Sequence, residues 1–530
     1  MTNSIPEFEH DTNCFLIIGS NTSEGHPLIA TRVLKAKKRG AKVIVLDPRR
    51  NQIAHWADIY YPFNPGTDVA VINGLMNIII NQGLADEPYV AERTEGFEEM
   101  KALVAEYTPE KVAEISGIPV EGLQEIARTY ATQRPSAILY AMGITQHTTG
   151  VDNVKSTANL AMLCGNMGVA GGGVNPLRGQ NNVQGACDMG GLPNVYSGYQ
   201  PVAVPENQLK FQEAWGSTGP LTIGITVTEM INQAGEGKIR ALYVMAENPM
   251  MSDPDLNHAR ECMEKAEFII AQDIFMTETA ELAHVILPGT SYAEKDGTFT
   301  NTERRVQRVR QAIEPVGNSR PDWQIICDLA KQMGAQGYDF NSPEEIMQEI
   351  NRVTPSYAGI TYERLEELGS LQWPCPAVDH PGTPYLHKGK FPRGKGLFSA
   401  LAYKEPAEMP DGEYPFTLTT GRLMFHFHTG TMTRRSSKLA SEVPEAYVEI
   451  NPEDAVKIGL NGGRRVRLAS RRGMLKNVGV RVTPGIKPGV VFMPFHFAEA
   501  AANILTNSAI DPVAKIPEYK VCAIRVEPEE

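Results

Sequence analysis

The sequence predicts a multidomain α/β protein in which two doubly wound, dinucleotide-binding regions precede a C-terminal β-barrel. Three observations predict it. A chain of 530 residues is too long for one ordinary hydrophobic core. A strand, helix, strand pattern occurs twice before the middle of the chain. Beyond about Tyr414 the pattern changes to short alternating strands around tight turns.

The first unit opens at Cys14-Phe-Leu-Ile-Ile-Gly, a short apolar run that reads as a buried strand. His26 to Arg39 carries helical apolar spacing, and Lys42-Val-Ile-Val-Leu-Asp reads as the next strand. Ligands collect at the carboxyl ends of such strands, which is where Gly19-Ser-Asn21 and Asp47-Pro-Arg49 fall. The turn Gly19-Ser-Asn-Thr-Ser-Glu-Gly is not G-x-G-x-x-G, which argues against a conventional NAD site. The pattern returns with a strand from Ala241 to Met245 ending in Ala246-Glu247-Asn248-Pro249, a helical stretch, and a strand from Phe268 to Ala271 ending in Gln272-Asp273. Two nucleotide-binding halves are expected, although doubly wound folds do not always use both.

From about Gly337 to Pro415, Pro, Gly and aromatic residues dominate, as in Trp373-Pro-Cys-Pro, and the stretch reads as a connector with little regular structure. Strands are then expected at Tyr414 to Gly421, Val448 to Ile450, Arg464 to Ala469, Val478 to Val482 and Gly489 to Met493. Turns such as Asn461-Gly-Gly and Arg472-Gly separate them, and a helical turn spans Pro452 to Ile458.

Hydrophobic residues make up 42% and charged residues 21%, which fits a globular chain and not a disordered one. The longest apolar runs, Cys14 to Gly19 and Val71 to Ile80, are too short to span a bilayer. The net charge of −12 argues against nucleic-acid binding, and the basic patches Lys35-Ala-Lys-Lys-Arg and Arg464-Arg-Val-Arg read as solvated faces. Seven widely spaced cysteines suit reduced thiols and form no C-x-x-C cluster or zinc framework. No secretory signal pattern opens the chain, so a cytoplasmic location is expected.

The most informative segment is Asn175-Pro-Leu-Arg-Gly-Gln-Asn-Asn-Val-Gln-Gly-Ala-Cys-Asp-Met189. Arg178 offers a planar fork that matches a carboxylate, Gly179 and Gly185 let the backbone approach a ligand, and four nearby amides supply paired donors and acceptors. The simpler reading is a polar surface loop.

The run from Arg178 to Met189, together with Gln272-Asp-Ile-Phe-Met-Thr-Glu-Thr-Ala and Ile516-Pro-Glu-Tyr-Lys, resembles molybdenum- or tungsten-dependent formate dehydrogenases, which bind two molybdopterin guanine dinucleotides. The resemblance runs from Asn13 to Pro528. It implies two Rossmann-like regions and a six-stranded double-psi barrel, with domains at 1–178, 179–292, 293–410 and 411–530. The first dinucleotide is expected along Asn21, Asp47, Arg49, Gly66, Asp68, Met142, Gln146 and Gln180. The second is expected at Glu247, Asn248, Gln272, Asp273, Ser291 and Asp322, with Arg422, His426, Asn503, Tyr519 and Lys520 from the barrel. Taken singly these are weak: Asp47 closes a strand, where a turn role is common, and Asp322 at a helix start reads equally as an N-cap. In Phe425-His-Phe-His428, read as a strand, the two histidines share a face, but a third metal ligand is lacking. His426 is expected at a pterin, and His428 stays unassigned.

The resemblance implies that Arg178 holds formate's carboxylate beside a metal bound by pterin dithiolenes and a selenocysteine or cysteine. The four cysteines of the family's 4Fe–4S domain, the selenocysteine or cysteine and its neighbouring histidine have no counterpart here, and no metal ligand is assigned. Met1-Thr-Asn-Ser-Ile aligns shortly after that ligand. The expectation is a frame truncated at a misread selenocysteine codon, or a split enzyme whose cluster domain lies on another polypeptide. An in-frame TGA upstream would distinguish the two. On either, this chain alone does not oxidise formate, and it works with the cluster-bearing segment and with electron-transfer subunits of iron–sulfur, flavin or hydrogenase type. Alternatives are a nitrate- or arsenate-type oxyanion reductase and a noncatalytic pterin-binding scaffold.

Overall fold

The computed structural model describes residues 1–216, 219–460 and 465–529, so the expected Asn461-Gly-Gly turn and Arg464 lie outside the described residues. The chain divides into two compact units, one made of Met1–Gly179, Met251–Asn257 and Tyr385–Glu530, the other of Gln180–Met250 and His258–Pro384.

In the first unit five parallel strands form a sheet in the order Ile59–Tyr61, Lys42–Leu46, Cys14–Ile18, Ser136–Tyr140, Val174–Pro176. Every residue of Cys14–Ile18 is buried because both faces are covered. Leu16 and Ile18 pack into one core with the helix Asp68–Asn81, while Phe15 and Ile17 pack into another with Phe8, Ile29 and Val33. The apolar run Val71 to Ile80 is thus a buried core helix.

The helix expected from His26 runs Pro27–Arg39, since proline's fixed φ suits the first helical position and Gly40 at φ 112° ends it. The strand order reverses between Cys14–Ile18 and Ser136–Tyr140, which opens a crevice at their carboxyl ends. There Gly19 and Gly143 meet backbone to backbone. A Cβ on Gly19 would lie 2.7 Å from the Gly143 carbonyl carbon.

The same unit contains a closed six-stranded barrel, in the order Phe416–Gly421, Val490–Pro494, Tyr447–Ile450, Met474–Val482, Arg465–Ala469, Cys522–Pro528 and back. Closure removes the free edges that short strands would otherwise expose. Phe425-His426-Phe427-His428 is not a strand: it lies in a turn-rich loop after Phe416–Gly421, with His428 at φ 47°. The alternation of aromatic and histidine imitated a strand, but this segment pairs with none of the named strands.

In the second unit three parallel strands lie in the order Val285–Pro288, Phe268–Asp273, Ala241–Met245. Leu242 and Ile269 face a core with Ala259 and Met263 of the helix Leu256–Glu264. The opposite face carries Tyr243, Met245 and Phe268 exposed. The expected connector is more regular than its composition suggests, since Pro343–Val353 and Tyr362–Leu368 are helices and Ser370–Gln372 is a strand. Ser342 caps the first helix by accepting from the Glu345 amide, and Met347, Ile350 and Val353 supply its apolar stripe. Proline abundance marked the ends of these elements, not their absence.

Candidate functional site

The crevice of the first unit is a cleft of about 930 Å³, and loops from both the parallel sheet and the barrel line it. Gly19, Ser20 and Asn21 follow the first strand, Asp47 to Arg49 the second, and Gly66 to Asp68 open the long buried helix. Met142 and His147 flank the Ser136–Tyr140 strand end, Leu177 and Gly179 bracket Arg178, and the barrel adds Thr420, Arg422, Phe492 and Lys520. Six of the expected cofactor residues, Asn21, Asp47, Arg49, Gly66, Asp68 and Met142, therefore share one cleft with Arg422 and Lys520, which were expected at a different dinucleotide.

This cleft holds buried polar atoms with no protein partner. They include Asn21 Nδ2, His26 Nδ1, both carboxylate oxygens of Asp68, His147 Nδ1 and Arg422 Nε. Buried polar groups are almost always paired, so a cluster of orphans along one cleft marks a surface shaped for a polar ligand. Burial sets the charges as well. It raises the Asp47 carboxyl to about 6 and the Asp68 carboxyl to about 7. It lowers Lys520 to about 8, whose Nζ donates to the Thr420 carbonyl at 2.7 Å, and His147 to about 4. His147 Nε2 donates to the Gly143 carbonyl at 2.8 Å, which leaves Nδ1 as a bare acceptor 3.9 Å from Glu518.

A family model described as "Molybdopterin oxidoreductase" matches residues 1–332, and one described as "Molydopterin dinucleotide binding domain" matches residues 416–523. The chain belongs to the molybdopterin oxidoreductase family. It is 54% identical to the F420-dependent formate dehydrogenase 1 subunit alpha of Methanococcus maripaludis, covering 99% of this chain and 78% of that protein. To the corresponding alpha subunit of Methanocaldococcus jannaschii it is 51% identical over the same shares, and to formate dehydrogenase H of Escherichia coli 41% identical over 100% of this chain and 74% of the other. Acetylene hydratase from Pelobacter acetylenicus shares the fold, with a TM-score of 0.77 at 22% identity, over 100% of this chain and 81% of that one.

As a molybdopterin oxidoreductase with a matching dinucleotide-binding domain, the chain takes a molybdopterin cofactor, and the cleft fits such a group. Orphaned acceptors at Asp68 and His147 suit the N–H edge of a purine, and orphaned donors at Asn21 and Arg422 suit anionic oxygens. Arg49 is differently disposed than its position after a strand suggests. Its guanidinium is held in a fork by Glu449, at 2.6 and 2.8 Å, and lies 4.0 Å over the Phe492 ring. It offers a flat stacked face more than a free cation.

The remaining expected residues fall elsewhere. Gln146 closes the turn after Met142–Thr145, and Gln180 is exposed at the start of the second unit's sequence. His426 is buried, 3.3 Å from Val443 O and Thr433 Oγ1, while Asn503 donates to the Met251 and Ser252 carbonyls and Tyr519 to Ser252. In the second unit Asp273 accepts from the Ile274 and Phe275 amides, Ser291 begins a capping box with Glu294, and Asn248 bonds Glu278 and Thr279. Glu247 is exposed beside it. Asp322 is the first helical residue, not the N-cap, which is Pro321. Its carboxylate is occupied by Gln272 Nε2 at 2.8 Å and by Lys295, and Gln272 also accepts from the Tyr243 hydroxyl.

Sequence reasoning passed over His26, His147, Glu518, Glu449 and Asp188. Proximity could have flagged some of them, since His147 follows Gln146 and Glu518 stands inside Ile516-Pro-Glu-Tyr-Lys. Asp188 is the hub of the second unit's start. Its buried carboxylate accepts from Gln184 Nε2 at 2.7 Å, Tyr199 at 2.8 Å, Tyr357 at 2.5 Å and Trp373 Nε1 at 2.7 Å. None of the seven cysteines is in a disulfide, and among the described residues no group of three or more His, Cys, Asp or Glu side chains could hold a metal ion. No helix among them is long and apolar enough to cross a membrane.

Asp68 yields a pH prediction. Its folded pKa lies above the unfolded value, so the folded chain holds the proton more tightly and stability falls as pH rises from about 4 to about 7. The cofactor-free chain should therefore lose urea resistance between about pH 5 and pH 7, and Asp68→Asn should lose less. Equal losses in the two proteins would remove Asp68 from this account.

Proposed function

We propose that this chain is the body of a formate dehydrogenase catalytic subunit, interconverting formate and carbon dioxide at a molybdenum or tungsten centre carried by two molybdopterin guanine dinucleotides. The observation that carries the reading is 50 to 54% identity, over nearly the whole chain, to three proteins named formate dehydrogenase alpha subunits. It is joined by the Arg178-Gly-Gln-Asn-Asn sequence, with Leu177 and Gly179 on either side of Arg178 lining a cleft of orphaned polar atoms.

In this reading Asp47, Asp68, Asn21 and Lys520 hold one dinucleotide in the cleft, and Gln272, Asp273, Asn248, Ser291 and Asp322 belong to the site of the other. Arg178 binds formate's carboxylate through its planar fork and turns the carbon–hydrogen bond toward the reacting centre. The chemistry the bound group supplies is acceptance of the two electrons released as that bond breaks and carbon dioxide and a proton form. The protein contributes orientation and a desolvated cationic surround, in which Arg178 and Arg422 favour the anionic substrate over neutral product. Partner subunits carry the electrons onward. The names of the relatives point to F420 as the final acceptor.

The assembled enzyme should reduce a viologen dye, and F420 through its partners, in a formate-dependent way. Denaturation should release about two GMP-containing pterins per metal atom. One nucleotide per metal, or AMP in place of GMP, would overturn the cofactor assignment, and absence of formate-dependent reduction would overturn the activity.

A further inference from the structure

The backbone that carries Arg178 is held from two sides by neutral imidazoles. His26 Nε2 lies 2.9 Å from the Arg178 carbonyl oxygen. A carbonyl only accepts, so Nε2 carries the ring's proton and donates. On the next residue, a Cβ at Gly179 would stand 2.7 Å from His428 Cε1, 2.8 Å from its Nε2 and 2.9 Å from Arg422 Nη1. Only glycine lets this ring and guanidinium close onto the chain there.

His428 is itself fixed. Its carbonyl accepts from His496 Nδ1, whose Nε2 accepts from the Leu423 amide at 2.9 Å, so the loop bearing Arg422 and His428 is tied at both ends. Burial pushes His26 and His428 down to about 4, with the Arg422 charge acting in the same direction. Neither ring adds a charge that would compete with Arg178 for an anion at neutral pH.

We propose that His26 is a positioning residue for Arg178: its Nε2–H bond to the Arg178 carbonyl, with His428 packed on Gly179, sets the direction in which the guanidinium is presented. The proposal rests on the reading of Arg178 as the formate site. An arginine side chain is long and flexible, so its tip amplifies any tilt of the peptide that carries it. A displacement of about 1 Å at a reacting group costs about 100-fold. His26 needs no contact with substrate to control its binding.

The test uses the assembled enzyme with His26→Phe, His26→Gln and, as a control, Arg178→Lys. His26→Phe should raise the formate KM by about 10- to 100-fold with a smaller change in kcat. It should weaken binding of azide, a linear triatomic anion, by a similar factor in a calorimetric titration. Its GMP content should match that of His26→Gln, since both variants lose the Nδ1 of this cleft-lining ring. His26→Gln, whose amide can donate to the same carbonyl, should recover most of the affinity. If the phenylalanine variant does not fold, His26→Ala is compared with His26→Gln in its place.

A wild-type KM without the imidazole, while Arg178→Lys is impaired, overturns the proposal. So does a glutamine variant no better than phenylalanine, or loss of GMP from the phenylalanine variant beyond that of the glutamine variant, which would make His26 a cofactor-retaining residue. An unimpaired Arg178→Lys would overturn the underlying reading instead.

Discussion

Replacing Arg178 with alanine should lower formate kcat/KM by about 2–5 kcal/mol, roughly 30- to 5000-fold, with cofactor content close to normal. The magnitude is that of removing one partner from a charge pair that is buried once formate is bound, because formate's carboxylate would lose its bidentate fork. Arg178→Lys should fall between wild type and alanine, since an ammonium keeps the charge and loses the planar geometry. The measurement is steady-state turnover beside metal and GMP analysis of the same preparations. Unchanged formate turnover in the alanine variant would take Arg178 out of the mechanism.

The largest stability effect is expected at Asp188. Asp188→Leu should destabilise the second unit by about 3–5 kcal/mol, because the buried Gln184 and Tyr357 and the less buried Tyr199 and Trp373 lose their common acceptor. Asp188→Asn should cost less, since it keeps one carbonyl oxygen while turning an amide donor toward other donors. Urea denaturation followed by tryptophan fluorescence is the readout, with the transition that involves Trp373 moving to lower denaturant. A leucine variant within about 1 kcal/mol of wild type would mean that the four donors find other partners. The helix Val183–Asp188 follows directly on Gln180 to Asn182, and Asn182 Oδ1 accepts from the Thr300 amide at 2.9 Å. Loss of the hub should therefore also loosen the amide-rich run after Arg178.

Much of the architecture was legible along the chain. Cys14–Ile18 and Lys42–Leu46 announce themselves as apolar runs because a parallel strand buried on both faces can carry little else. The strand Ala241–Met245 and its partner Phe268–Asp273 were legible as apolar runs too, although Tyr243, Met245 and Phe268 leave one face exposed, the second strand extending two residues past Ala271 through polar Gln272 and Asp273. Composition misled where punctuation was dense. Between Gly337 and Pro415 the prolines bound short helices and do not prevent them. Phe425-His-Phe-His428 alternates like a strand, yet it pairs with none of the named strands.

By itself the sequence determined the family, the two parallel βαβ regions, the closing barrel and the Arg178 run, because each rests on local periodicity or on a contiguous motif. Only the tertiary structure decided who meets whom. It brings Arg422 and Lys520 of the barrel segment into the cleft of Asn21 and Asp68, commits Arg49 to Glu449 400 residues away, and sets His26 under the Arg178 carbonyl. The physical reason is that spacing along a chain encodes which face of an element is apolar, a property of near neighbours. Whether a buried carboxylate stays unpaired at Asp68 or finds a partner, as Glu449 does, depends on groups brought together by packing from distant parts of the chain.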